Sequence, residues 1–354
     1  MTVVANSKLR VLVVDDSAYN RRSLSEILIS DPEIEVVGKA GDGDEALRLV
    51  SLLKPDAITL DLEMPRMDGF TFLRILMSVN PTPVIIVSSY SQKENVFKAL
   101  DLGALDFIAK PDRFADSELD RIRSELLQKI RIAKNIRHGA LPARRLGDAM
   151  AYRATATTTG TATAPRYVVA IASSTGGPTA LMEAFSKIPE RPRSAIVIAQ
   201  HMPDKFTRTF AERLDRRSPM HVTEAQDLDV VTAGQGFVCP GRRCMELERF
   251  RPNELRLRVL EPDATDRYAP SADRLLTSVA KAAGSKAVGV ILTGMGDDGV
   301  QGAKAIVQAG GTVIAENAST AVVYGMPGAA VRAGVVTQSL SIHEIADWLS
   351  TISS

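Results

Sequence analysis

Ser174, His201 and the pair Asp297-Asp298 are residue types that could act together on an acyl carbon. A hydroxyl, an imidazole and a carboxylate supply a nucleophile, a general base and a group that orients the base. A second set suits different chemistry. Asp15, Asp16 and Asp61, with Ser88 and Lys110, offer crowded carboxylates, a hydroxyl and an ammonium. Crowded carboxylates make a hard, oxygen-rich site suited to Mg²⁺. A carboxylate nucleophile with a metal, a cation and a hydroxyl around it is what phosphoryl transfer to aspartate requires.

Both sets follow short apolar runs. Tyr167-Val-Val-Ala-Ile-Ala-Ser173 leads to Ser174, Ala195-Ile-Val-Ile-Ala199 leads through Gln200 to His201, and Ala287-Val-Gly-Val-Ile-Leu292 leads through Thr293-Gly-Met-Gly296 to the two aspartates. Upstream, Leu9–Val14 ends in Asp15-Asp16, Asp56–Leu60 in Asp61, Val84–Val87 in Ser88 and Asp106–Ala109 in Lys110-Pro111. Such runs, bounded by Gly and Pro, read as buried parallel strands. In an open parallel sheet, sites form outside the carboxyl ends of the strands. Amphipathic segments fall between the runs: Ala18–Leu28, Gly43–Leu53, Gly69–Val79, Val96–Leu102 and 116–137. This βα alternation predicts a doubly wound parallel sheet. It breaks at Leu141–Pro165, a stretch with Arg144, Arg145, Arg153 and a Thr/Ala run. That composition reads as a flexible linker. Beyond Arg166 the alternation is expected to resume and run to the end, giving a second α/β domain.

The remaining composition narrows the options. The chain has 354 residues, a formal net charge of +1 and 24% charged residues. This balance gives no strong field for nucleic acid or an acidic membrane. Cys239 and Cys244 lack metal-site spacing and read as reduced thiols. Met1–Arg10 has no apolar h-region, so no secretory leader is expected, and no apolar stretch reaches the ~20 residues a membrane span needs. A soluble cytoplasmic protein is expected. Of the four histidines, His138 and His343 do not follow buried strands, and His221 is a weaker competitor than His201. Gly176 and Gly177 let backbone amides approach a ligand after Ser174. Spacing does not choose between Asp297 and Asp298.

The motif Asp61-Leu-Glu-Met-Pro-Arg-Met-Asp-Gly69 resembles the phosphoacceptor loop of response-regulator receiver domains. The resemblance covers residues 9–128. It implies Asp61 as phosphoacceptor, Asp15, Asp16 and Asp61 as the Mg²⁺ site, Ser88 and Phe107 as switch residues, and Lys110 as the phosphate contact. The segments Ser174-Thr-Gly-Gly177, Gln200-His-Met-Pro203, Leu292–Gly299 and Val323-Tyr-Gly-Met-Pro-Gly328 resemble the CheB protein-glutamate methylesterases. Departures at Ala172, Cys244 and Ala269 touch none of the three candidate residues. Together the resemblances imply a receiver over 1–128, a linker over 129–165 and a methylesterase domain over 166–354.

The family register selects a Ser174-His201-Asp298 triad. Thr175 and Met295 are the implied supports of an oxyanion hole, with backbone amides near His201 and Met295 as candidate donors. The implied activity is hydrolysis of glutamate methyl esters on chemoreceptors and deamidation of receptor glutamines, with no cofactor for the esterase step. A sensor histidine kinase would be the phosphodonor. A receiver that blocks a protein substrate until Asp61 is phosphorylated would couple the two halves. No nucleic-acid partner and no membrane insertion are expected.

Overall fold

The computed structural model describes residues 8–89, 93–110, 116–133, 136 and 163–354. Pro111, His138 and the linker residues Arg144, Arg145 and Arg153 lie outside the described residues. The chain divides into two compact units, Met1–Gly147 and Asp148–Ser354.

In the first unit, strands β1 (Leu9–Val14), β2 (Ile34–Ala40), β3 (Ala57–Leu60), β4 (Val84–Ser88) and β5 (Asp106–Ala109) alternate with helices α1 (Ala18–Ile29), α2 (Gly43–Leu53), α3 (Gly69–Val79), α4 (Lys93–Asp101) and α5 (Asp116–Ala133). The strands form one parallel sheet in the order β2-β1-β3-β4-β5. Every residue of β3, β4 and β5 is buried, as expected for strands covered on both faces. Polar side chains start the helices. Ser17, Asp42 and Asp68 accept the amides of Asn20, Glu45 and Thr71, groups that an isolated helix end leaves unpaired. Helix α4 begins at Lys93, three residues before the expected Val96, because its first turn is polar and carries Glu94, which favours a helix N-terminus. Helix α5 carries this unit's core past residue 128. Ile130 and Ala133 are buried, and Lys129 pairs with Asp106 at 3.2 Å. Helix α5 thus extends to Ala133, into the stretch 129–165 expected as linker.

The second unit contains β6 (Val168–Ser173), α6 (Gly177–Ala184), β7 (Ala195–Gln200), α7 (Asp204–Arg217), β8 (His221–Glu224), β9 (Val230–Val231), β10 (Gln235–Val238), β11 (Cys244–Arg251) and β12 (Glu254–Leu260). Then follow α8 (Ala272–Ala283), β13 (Ala287–Ile291), α9 (Val300–Gln308), β14 (Thr312–Glu316), α10 (Met326–Arg332), β15 (Gln338–Leu340) and α11 (Ile342–Ser353). Seven strands form a parallel sheet in the order β15-β14-β13-β6-β7-β10-β8. On one side, from β6 the chain passes through β7 to the edge strand β8 and then returns to place β10 between them. From β13 it builds outward to β15 on the other. The winding reverses between β6 and β13, where an open sheet leaves a crevice at its carboxyl edge.

The alternation is not unbroken. β11, β12 and β9 form a separate antiparallel sheet. Its signal is the two-residue alternation Leu255-Arg-Leu-Arg258 and the turn at Pro252-Asn253. Met245, Leu247, Leu255 and Leu257 join the same buried core as Leu275, Leu276 and Val279 of α8. Burying each such side chain contributes about 2 kcal/mol, which holds α8 and its N-terminus over the edge of the large sheet.

Candidate active site

β6, β7 and β13 are sheet neighbours, so the segments after them share the carboxyl edge. Backbone bonds tie those segments together. The amide of Ser174 donates to the Thr293 carbonyl at 3.1 Å, and the amide of His201 donates to the Ser173 carbonyl at 3.0 Å. The imidazole of His201 meets Asp298 through Nε2, at 2.8 Å from Oδ2. Asp298 is buried at the N-terminus of α8, where its oxygens also accept the amides of Ala272 at 2.8 Å and Asp273 at 2.9 Å. Burial pushes this carboxyl up, but His201 and the two helix amides outweigh it and hold the group below its ordinary value. Asp298 is therefore a fixed anion against the ring. Asp297 points elsewhere: it is exposed and pairs with Arg267 at 3.4 Å. His221 and His343 also face carboxylates, Asp215 and Glu183, but both rings are exposed.

With Nε2 bound to Asp298, Nδ1 is the nitrogen left to take a proton. Among the described residues no hydrogen bond joins the Ser174 hydroxyl to that ring. Catalytic hydrogen bonds commonly tighten only when substrate binds. The Ser174 carbonyl is held instead: it accepts from Gly177 at 2.8 Å and from Gln200 Nε2 at 2.9 Å. Gln200 is a linking residue at this edge to which the sequence analysis gives no role. Its Nε2 also donates to the His201 carbonyl, and its Oε1 accepts the Ser173 hydroxyl at 2.6 Å. One buried amide thus fixes both the Ser174 segment and the His201 segment. Gly177 is required beside it, because an added Cβ would collide with Gln200 Oε1.

The oxyanion candidates separate by position. The amide of His201 is spent on Ser173, so it is removed from the candidate donors. The amide of Thr175 has no acceptor among the described residues and precedes α6. Met295 sits in the turn after β13 with 37% of its surface exposed. Thr293 ties the two turns together. Its hydroxyl donates to the Thr175 carbonyl at 2.9 Å, and its amide donates to Glu316 at 2.8 Å.

Glu316 is buried at the end of β14 and also accepts the Thr320 hydroxyl at 3.0 Å. Burial pushes its carboxyl from 4.5 up to about 7, against the lowering effect of those two bonds. A raised carboxyl stabilises the fold below its unfolded value and loses that contribution as pH rises through the folded value. The window runs from 4.5 to about 7, and the loss is at most about 3 kcal/mol. Glu316→Gln is therefore expected to be more stable than the parent by about 1–3 kcal/mol at alkaline pH, with the gain vanishing below the window. Urea unfolding followed by Trp348, the single tryptophan and part of α11, checks this. Equal stabilities at alkaline pH would contradict a buried charge at this position.

Sequence reasoning also passed over Tyr268. Its ring stacks on His201, with centroids 4.9 Å apart and planes at 11°. The preceding stretch is a polar loop with no periodicity, so nothing local marks the tyrosine.

The first unit gathers its own set at the same kind of edge. β1 and β3 are neighbours, and the amide of Asp61 donates to the Val14 carbonyl at 2.9 Å. Asp15, Asp16 and Asp61 each present an oxygen within 4.8 Å of the others. Lys110 Nζ lies 2.5 Å from Asp61 Oδ2 and 2.9 Å from Asp15 Oδ2. Burial pushes the Asp61 carboxyl up, with Lys110 opposing and Asp15 adding to the rise. Burial alone would lower Lys110, but Asp61 and Asp15 outweigh it and hold the ammonium above its ordinary value. Three carboxylate oxygens this close together fit a divalent ion coordinated by oxygen. Ser88 is buried at the end of β4, and its carbonyl accepts the Lys110 amide at 2.7 Å. Phe107 is buried on β5, edge-on to Phe97 at 6.1 Å.

Both halves match known families. The CheB methylesterase model matches residues 169–349, and the response regulator receiver domain model matches residues 11–121. A protein-glutamate methylesterase/protein-glutamine glutaminase of Myxococcus xanthus is 46% identical, covering 97% of this chain and 97% of that protein. One from Geobacter sulfurreducens is 47% identical, covering 96% and 95%. The crystal structure of the Thermotoga maritima CheB methylesterase catalytic domain is 36% identical with a TM-score of 0.51, covering 52% of this chain and 98% of that one. Among the described residues no helix is long and apolar enough to cross a membrane. This chain belongs to the CheB methylesterase family, with a response regulator receiver domain ahead of its methylesterase domain.

Proposed function

We propose that this protein hydrolyses glutamate methyl esters on chemoreceptors and deamidates receptor glutamines, under control of Asp61 phosphorylation. The observation that carries the reading is the His201–Asp298 pair at the sheet edge that also carries Ser174. His201 Nδ1 takes the Ser174 proton as the oxygen attacks the ester carbonyl. The amide of Thr175 faces the oxyanion, and the turn at Met295 supports the other side. His201 returns the proton to the leaving methoxide, and methanol departs. Water, relieved of a proton by His201, then attacks the glutamyl-serine ester, and His201 passes that proton to the departing Ser174 oxygen as the glutamate is freed. With a glutamine substrate, ammonia leaves in the first step.

Asp298 keeps the ring in the right tautomer and stabilises the imidazolium. Asp298→Asn is expected to lower kcat by about 10³–10⁴-fold. Asp298 accepts three N–H groups, and asparagine would turn a donor toward one of them. A variant within tenfold of the parent would remove Asp298 from the mechanism.

In the receiver, Asp15, Asp16 and Asp61 would hold Mg²⁺, which when bound offsets phosphoryl charge. Lys110 and Ser88 would contact the phosphoryl oxygens, with Phe107 reporting the change. A sensor histidine kinase is the phosphodonor in this reading. The test is methanol release from methylated receptor membranes, with and without acetyl phosphate and Mg²⁺. Release that rises with phosphodonor is expected. No release under either condition would overturn the reading.

A further inference from the structure

Tyr268 lies against the base, yet the chemistry above gives it no role. Its ring is nearly parallel to the imidazole of His201, at 11° and 4.9 Å. This is offset stacking, which covers one ring's face with the other's. The phenol reaches from there to the glycine-rich turn. An added Cβ at Gly296, whose φ is +89°, would come within 2.9 Å of the Tyr268 hydroxyl. Arg267 stands over the same phenol at 5.6 Å and pairs with Asp297 of that turn. The ring is thus held between the base and the segment carrying Asp298. Among the described residues its hydroxyl has no hydrogen-bond partner, so the ring is the part that engages the site.

The timing of charge decides what such a ring can do. The imidazole is neutral before reaction and becomes a cation as Ser174 loses its proton. An aromatic face attracts a cation through its quadrupole. That attraction is stronger in the transition state than in the ground state, and only such a difference raises kcat.

We propose that Tyr268 is a positioning residue of the esterase site, whose ring fixes the plane of His201 and stabilises the imidazolium formed during proton transfer. The inference rests on the reading of His201 as the base. The test compares the full-length protein with Tyr268→Phe, Tyr268→Leu and a variant carrying pentafluorophenylalanine at 268, by methanol release. Phenylalanine keeps the ring face, and kcat is expected within about twofold of the parent. Leucine and the fluorinated ring are expected to lower kcat roughly tenfold while KM holds. The fluorinated ring has nearly the shape of phenylalanine but an inverted quadrupole. Equal kcat for those two rings would reduce Tyr268 to packing and overturn the proposal. His201→Gln is measured alongside. If it retains activity, the base assignment itself fails, whatever the ring variants show.

Discussion

Ser174→Ala is expected to bring methanol release from methylated receptor membranes down to background, a loss of at least about 10⁴-fold. The variant should fold, because every bond that places Ser174 is made by its backbone. Its amide binds the Thr293 carbonyl, and its carbonyl accepts from Gly177 and Gln200. Alanine keeps all three and removes only the hydroxyl. The neighbouring hydroxyl offers no substitute. Ser173 is fully buried and donates to Gln200 at 2.6 Å, so its oxygen faces the core of the edge. Ser173→Ala should instead disturb Gln200, and through it the carbonyls of Ser174 and His201. Release by Ser174→Ala within tenfold of the parent rate would reassign the nucleophile.

The contrast between these two serines marks where sequence reading stops. Apolar runs bounded by Gly and Pro exposed the parallel strands, because strands buried on both faces have little freedom in composition. Strand ends then pointed to Asp61, Ser88, Lys110, Ser174 and His201. Asp297 and Asp298 are adjacent, and spacing leaves them equivalent. What separates them is α8, whose first amides receive Asp298 after a segment of 26 residues is folded back over the edge. Gln200 and Tyr268 were hidden for the same reason. Gln200 acts by bridging β6 and β7, and Tyr268 acts from a polar loop across the crevice. Neither role has a local pattern. The antiparallel β11-β12-β9 sheet did have one, in Leu255-Arg-Leu-Arg258, but the stronger βα rhythm on both sides masked it.

Asp61→Asn is expected to abolish stimulation by acetyl phosphate and Mg²⁺ while leaving basal methanol release within about twofold. The two carboxylate oxygens of Asp61 do different things. Oδ1 accepts the Leu62 amide at 2.8 Å, and Oδ2 faces Lys110 Nζ at 2.5 Å. Asparagine can keep the first bond through its carbonyl. Its amide then meets the Lys110 ammonium, donor against donor, and no carboxylate oxygen remains to accept a phosphoryl group. Asp15 is an alternative acid in the same cluster, but its Oδ1 already accepts the Ser17 amide at 2.9 Å and the Asn20 side chain at 3.3 Å. It is also turned toward the same ammonium at 2.9 Å. Removing Mg²⁺ from the parent with a chelator should reproduce the unstimulated rate, because three crowded carboxylates and a phosphoryl group repel one another without a divalent cation. An undiminished response in Asp61→Asn would move the phosphoacceptor elsewhere. A basal rate that falls with the response would instead show that Asp61 supports the esterase without phosphorylation, since this carboxylate belongs to a different sheet from Ser174, His201 and Asp298.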